Sequence, residues 1–219
     1  FLIILLLIGL FFFMLSTKGI ETKKFNSLIT KKIIESNTNV NLSLNEIKFK
    51  LDLKEISLFL ETSKPKIKYF DVDIPTKSIK VYIDFSSLYK ASVQIKKVYL
   101  SLEELDFTQF KKLISVTKPS NFRSLVSNKV KQGTITSEIE FYLNKENLLE
   151  NFIAKGKVAS LRLHLIKNLS LEDIKFDFFA DNSDILLKNI EGKLYDIDIE
   201  EGDLSLKILP KIQLQSNFL

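Results

Sequence analysis

"VNLSLNEIKFKLDLKEISLFL", residues 40–60, alternates apolar and polar side chains almost without interruption. Successive strand residues point to opposite faces, so the alternation predicts strands with one apolar and one polar side. Val40, Leu42 and Leu44 share one parity, Ile47, Phe49, Leu51 and Leu53 the other, and Ile56, Leu58 and Leu60 switch back. Each switch needs a bulge or a turn, and "LNEI" and "LKEI" supply the places. A sheet of such strands must bury its apolar side against helices, a second sheet or an apolar phase that is not protein. The rest of the sequence has to say which.

The same period runs on toward the C-terminus. "SKPK" (63–66) and "DIPTKS" (73–78) punctuate further strands, followed by Ile79, Val81, Ile83 and Phe85, a break at "SSLYKAS", Val93 and Ile95, then Val98, Leu100 and Leu102. In "FTQFKKLISV" (107–116) and "NFRSLVSNKV" (121–130) apolar residues instead fall three and four apart around "TKPS", which predicts two short helices inserted near 107–130. Alternation resumes with Ile135, Ile139, Phe141 and Leu143, then Val158, Leu161, Leu163 and Leu165, then Ile174, Phe176 and Phe178. Ile197 and Ile199, and Leu204, Leu206 and Ile208, complete it. "NKEN", "ADNSD" (180–184), "IEGK" (190–193) and "EEGD" (200–203) read as turns. About a dozen strands exceed what two short helices can cover. The sheet therefore either folds on itself as a self-packed β-sandwich or barrel, or curls into a trough lined for an apolar ligand.

"FLIILLLIGLFFFML", residues 1–15, is an unbroken apolar run. With Ser16 and Thr17 it covers ~25 Å as a helix, slightly less than a ~30 Å hydrocarbon core. The competing reading is a cleaved signal peptide, but no small-x-small cleavage site follows, and an uncleaved anchor over residues 1–17 is expected. Because the chain opens on Phe and still alternates at Ile212 and Leu214, sequence is expected beyond both ends. Lys18, Lys23 and Lys24 flank the run on one side, and orientation needs both flanks. In "TKKFNSLITKKIIES" (22–36), Phe25, Leu28, Ile29 and Ile33 take one helical face and Lys24, Lys31, Lys32 and Glu35 the other. Residues 18–37 thus read as a juxtamembrane amphipathic helix that packs on the following sheet or lies on lipid. Residues 38–219 form the β domain.

Composition narrows the function. The net charge is +5, yet only Arg123 and Arg162 are arginines and Lys alternates with Asp and Glu along the strands, unlike a nucleic-acid surface. The chain has no cysteine, hence no disulfide and no thiolate metal site. His164 is the single histidine and lies on the parity opposite Leu163, which places it toward solvent and against a Ser–His–acid nucleophile. Asp196, Asp198 and Glu200 alternate with Ile197 and Ile199, as the outer face of a strand does, and Glu201 follows in the turn. Six scattered glycines make no phosphate loop. No enzyme, cofactor or metal is expected.

The apolar N-terminal run, "FNSLITKKIIES", the block "NVNLSLNEIKFKLDLKEISLFL" and "IPTKSIKVYIDFSSLYKASVQIKKVYLSLEELDF" occur in an order that resembles the N-terminal region of AsmA-like envelope proteins. The likeness covers residues 1–113; residues 130–219 match only as further amphipathic strand. It implies a single-pass protein of the bacterial inner membrane whose periplasmic β-sheet forms a U-shaped hydrophobic groove, a β-taco. That groove carries phospholipid between inner and outer membranes. It further implies phospholipid acyl chains, the inner membrane and other envelope proteins as partners, with no nucleic acid. On this resemblance the groove is lined by Phe49, Leu51, Leu53, Val81, Ile83, Phe85, Val98, Leu100, Leu102, Phe141, Leu163, Phe176 and Phe178. A non-catalytic envelope assembly factor with a self-packed β domain is the alternative.

Overall fold

A computed structural model describes residues 2–22, 26, 30, 39–55, 57–84, 94–166, 169–195, 197–207 and 213–219. Among the described residues the fold is mainly β, with three short helices. Helix α1 (Leu2–Thr17) precedes β1 (Ile20–Thr22), β2 (Val40–Ser43), β3 (Ile47–Asp52), β4 (Ser57–Ser63), β5 (Lys66–Tyr69), β6 (Val72–Ile74), β7 (Thr76–Ile83) and β8 (Ile95–Leu102). After β9 (Leu105–Asp106) come helices α2 (Phe107–Ser115) and α3 (Asn121–Lys129). The chain then returns to β10 (Val130–Leu143), β11 (Leu149–Ile166), β12 (Leu169–Asp181) and β13 (Asp184–Leu194). It ends with β14 (Ile197–Ile199), β15 (Gly202–Lys207) and β16 (Gln213–Phe218). Among the described residues thirteen strands belong to one sheet, and β2, β5 and β6 to a second. The amphipathic helix expected over 22–36 lies outside the described residues apart from Thr22, Asn26 and Thr30, as do Ile56, Phe85, Val93, Asp196, Ile208 and Ile212.

The chain divides into two compact units, residues 1–68, 76–101 and 140–150 in the first and residues 69–75, 102–139 and 151–219 in the second. In the first unit β1, β3, β4 and β7 pair antiparallel in that order. The β3–β4 reversal is closed by Asp52, whose Oδ1 accepts from the amides of Lys54 (2.9 Å) and Glu55 (3.2 Å). That Asx turn is the parity switch expected at "LKEI". The reversal after β10 works the same way: Asn144 Oδ1 accepts from the amides of Glu146 (2.9 Å) and Leu148 (3.0 Å), with Asn147 at φ 59°.

Helix α1 is apolar all round, and Leu2 to Met14 are exposed on every side. Among the described residues no helix is long and apolar enough to cross a membrane. Its end is well made: Ser16 and Thr17 hydroxyls donate to the Phe13 carbonyl at 3.0 and 2.8 Å, and the amides of Lys18 and Gly19 both reach the Met14 carbonyl at 3.0 Å. Gly19 takes the left-handed conformation, φ 73°, that such a stop requires.

The second unit is a ladder of long strands with helices on one side. Asp106 caps α2 by accepting from the Gln109 amide at 2.8 Å, with the Gln109 side chain returning the bond. Ser120 caps α3 through Arg123 at 3.1 Å. Phe107 and Ile114 from α2 and Val126 from α3 close over Val130, Val158, Leu161, Ile174 and Ile190 of the sheet. Register shifts interrupt the β11–β12 and β12–β13 ladders. Between Val158↔Phe176 and Leu161↔Ile174 the β11 side carries one extra residue, with Ser160 at φ 49°. Asp173 (φ 51°) and Asn189 (φ 54°) play the same part between β12 and β13. The turn expected at "IEGK" does not form: Ile190 to Lys193 lie inside β13, where Asn189 and Gly192 bend the strand and do not reverse it.

Candidate functional site

The two faces of the first-unit sheet differ completely. Cross-strand register aligns Ile20, Phe49, Leu60 and Val81 in one row, Leu51, Leu58 and Ile83 in the next, and Ile47, Thr62 and Ile79 in a third. Strand alternation puts all of them on one side. Lys97 and Tyr99 of β8 and Glu140 and Tyr142 of β10 meet the opposite side, as their contacts below show, so Val98, Leu100 and Phe141 join the apolar one. Ile47, Leu58 and Ile83 are buried, whereas Phe49, Leu51, Leu60, Val81, Val98, Leu100 and Phe141 are half-buried.

The opposite side is a linked array of ions and rings. Lys50, Phe59 and Tyr82 form one of its rows and Lys48, Glu61 and Lys80 another. Lys50 and Lys80 both reach Glu61, at 2.6 and 3.9 Å. Phe59 stacks on Tyr82 with 5.2 Å between centroids, and Lys80 lies 5.5 Å over Phe59 and over Tyr99. Lys97, its side chain only 13% exposed, sits 4.5 Å over Tyr82 and pairs with Glu55 at 2.7 Å and Glu140 at 3.6 Å. The Tyr82 hydroxyl donates to Asp52 at 3.3 Å and that of Tyr142 to Glu140 at 2.7 Å. Burial, then the charges of Asp52 and Glu55, push the Tyr82 phenol well up. The bond to Glu140, reinforced by burial, raises Tyr142 to about 12. Both phenols therefore stay neutral donors at neutral pH.

Asp52 ties this array to the turn. Burial alone would raise its pKa, but the amides of Glu55 and Lys54, the Tyr82 hydroxyl and the charge of Lys80 outweigh it and hold the carboxyl below its usual 3.8. A carboxylate depressed in the folded state contributes stability above its unfolded pKa and loses it as pH falls through the folded value. Wild-type protein is accordingly expected to lose thermal stability as pH drops below about 3.8, and Asp52→Asn to lose less over that window while being less stable at pH 7. Melts at stepped pH check both signs; parallel curves for the two proteins would refute the assignment.

Of the residues predicted to line a groove, Phe49, Leu51, Val81, Ile83, Val98, Leu100 and Phe141 share the apolar side of the first unit. Leu53 does not join them: the Asp52 turn ends β3 before it, and it stands 64% exposed on the reversal. Phe85 lies outside the described residues. Leu102, Leu163, Phe176 and Phe178 belong to the second unit, where the last three pack against the helix-covered core. The rows also contain Ile47, Leu58, Leu60 and Ile79, which the prediction omitted. Their signal was present, since a two-strand hairpin with a known turn sets the register.

His164 is exposed on β11 opposite Ser170. Among the described residues no group of three or more His, Cys, Asp or Glu could hold a metal ion. Asp198 pairs with Lys193 at 3.3 Å across β13–β14, as an outer-face residue does. No protein-family model, curated protein or solved structure matches the chain.

Proposed function

We propose that this chain is an AsmA-like envelope protein, held in the bacterial inner membrane through α1, whose first-unit apolar face receives phospholipid acyl chains. On this reading the sheet curls into a U-shaped trough in the periplasm and conducts lipid between the inner and outer membranes. The carrying observation is the contrast between faces. A side built on Lys97, Glu140 and Tyr82 meets its polar groups through its own ion pairs and hydrogen bonds, while Phe49, Leu60, Val81, Val98 and Phe141 lie half-buried on the other side. Carrying a lipid through water exposes its tails at about 0.8 kcal/mol per CH2, so such rows lower the barrier without chemistry. Helix α1, sixteen residues with apolar side chains on all sides, supports the anchor. At ~24 Å it leaves a short remainder of the hydrocarbon core to be spanned.

A second reading, a self-covered β protein that assists envelope assembly, is favoured by the second unit alone. There helices cover the apolar face, and Leu163, Phe176 and Phe178 are ordinary core neighbours.

Photocrosslinking separates the two. A photoreactive residue placed at Val98 or at the adjacent Tyr99 in the full chain, expressed in a diderm host, samples opposite faces. Phospholipid adducts at Val98, absent at Tyr99 and reduced severalfold by Val81→Asp, are expected. Intramolecular adducts at Val98 with no lipid would replace the transport reading with the structural one.

A further inference from the structure

The chain's positive charge is not spread over it. Between Phe107 and Ser137 there are six cations, Lys111, Lys112, Lys118, Arg123, Lys129 and Lys131, and no Asp or Glu. The chain has 32 cations and 27 carboxylates, so the rest of it holds 26 against 27 and is slightly acidic. The whole of the net +5 therefore resides on α2, α3, their connection and the start of β10. Elsewhere in the structure cations meet carboxylates across strands, as Lys155 meets Glu138 and Lys175 meets Glu191. This segment has no carboxylate of its own to meet.

The same hairpin displays apolar side chains. Val126 turns into the core, but Phe122 and Leu125, three residues apart on α3, are 61% and 50% exposed. Lys112, Lys118 and Lys131 are exposed as well. The cluster of free guanidiniums that a nucleic-acid reader uses is missing: Arg123 is the segment's single guanidinium and donates to the Thr117 carbonyl at 2.7 Å. Exposed phenylalanine and leucine inside an acid-free cationic helix pair instead match the interface of an anionic bilayer, where rings and chains enter the acyl boundary and lysines meet headgroup phosphates.

We propose that the α2–α3 hairpin is a peripheral docking surface for an anionic membrane, with Phe122 and Leu125 inserted and Lys112, Lys118 and Lys131 on the headgroups. It is a second membrane contact besides α1. It does not depend on what fills the first-unit apolar face.

The chain contains no tryptophan, so Phe122→Trp creates a single emitter at the proposed point of insertion. The full chain carrying it is reconstituted through α1 into vesicles of phosphatidylcholine, or of an equimolar mixture of phosphatidylcholine and phosphatidylglycerol, with brominated acyl chains as quencher. Blue-shifted, quenched emission in the mixed vesicles and water-like emission in phosphatidylcholine are expected. Replacing Lys112, Lys118 and Lys131 by Gln should weaken the interaction roughly fivefold per charge removed, and raised salt should do the same. Leu125→Trp repeats the reading at a second exposed site, and circular dichroism melts confirm that the variants fold. Equal quenching in both vesicle types, or water-like emission in both, overturns the proposal. Emission that responds to an acidic polypeptide and not to vesicles overturns it in favour of a protein partner.

Discussion

Replacing Gly156 by alanine is expected to destabilise the second unit by about 3 kcal/mol and to lower its unfolding temperature by on the order of 10 °C. Gly156 sits in β11 opposite Phe178 of β12. A Cβ there would lie 2.0 Å from the Thr136 carbonyl oxygen and 2.7 Å from two atoms of the Phe178 ring. The ring can swing away at modest cost. The carbonyl belongs to the backbone of β10, so relieving that clash means moving a strand within its ladder, which is why the cost exceeds an ordinary Gly→Ala change. Gly9 is the control: nothing lies within 4 Å of its would-be Cβ, and alanine should only favour α1. The double variant Gly156→Ala/Phe178→Leu divides the two clashes. Little recovery is expected, since the smaller side chain frees the ring side only. Full recovery would mean that ring crowding, and not strand separation, sets the cost.

The strands and helices of this protein were legible where local chemistry decides them. Period-two alternation marks β3, β4 and β7, and three-and-four spacing marks α2 and α3 within a residue or two. The failures share one cause. "IEGK" reads as a reversal because Gly192 tolerates φ above zero, but that tolerance, shared by Asn189 just before it, serves a bulge equally well. Which of the two forms depends on whether a distant strand offers a ladder to continue. Here Lys175 pairs with Glu191 and Asp177 with Lys188, so the strand goes on. Leu53 failed the other way: alternation carries through "FKLDL", and only the side-chain acceptor of Asp52, two residues from the amide it captures, ends the strand.

The candidate site was less legible than the fold for a related reason. Alternation states which side chains share a face and says nothing about what lies against it. Phe49 and Phe176 occupy equivalent positions in the pattern, yet the first stands in half-buried rows of the first unit and the second against a core roofed by Phe107 and Ile114. The cover comes from helices far away in sequence. On the polar side, Lys–Glu alternation reads as a solvated face. The stacking of Phe59 on Tyr82 under Lys80 and Lys97 needs register across three strands.

Those two phenylalanine environments supply the sharpest functional contrast. Phe107 is 7% exposed, packs edge-on against Phe110 at 5.5 Å, and covers Gly133. Phe107→Ala removes part of the roof over Val158, Leu161 and Ile174, so about 3–5 kcal/mol of stability should be lost. Binding of an apolar dye should rise, because sheet surface that helices now cover becomes open. Phe49 is half-buried in a row of strand residues, so Phe49→Ala should cost only about 1 kcal/mol. If acyl chains are what meet that row, the loss falls instead on lipid adducts at Val98, with the melting temperature nearly unchanged. Urea unfolding and adduct yield on the same two variants test this directly. A Phe49→Ala protein that melts as early as Phe107→Ala and keeps its lipid adducts would assign Phe49 to a packed core, and the apolar face of the first unit would then be covered by protein.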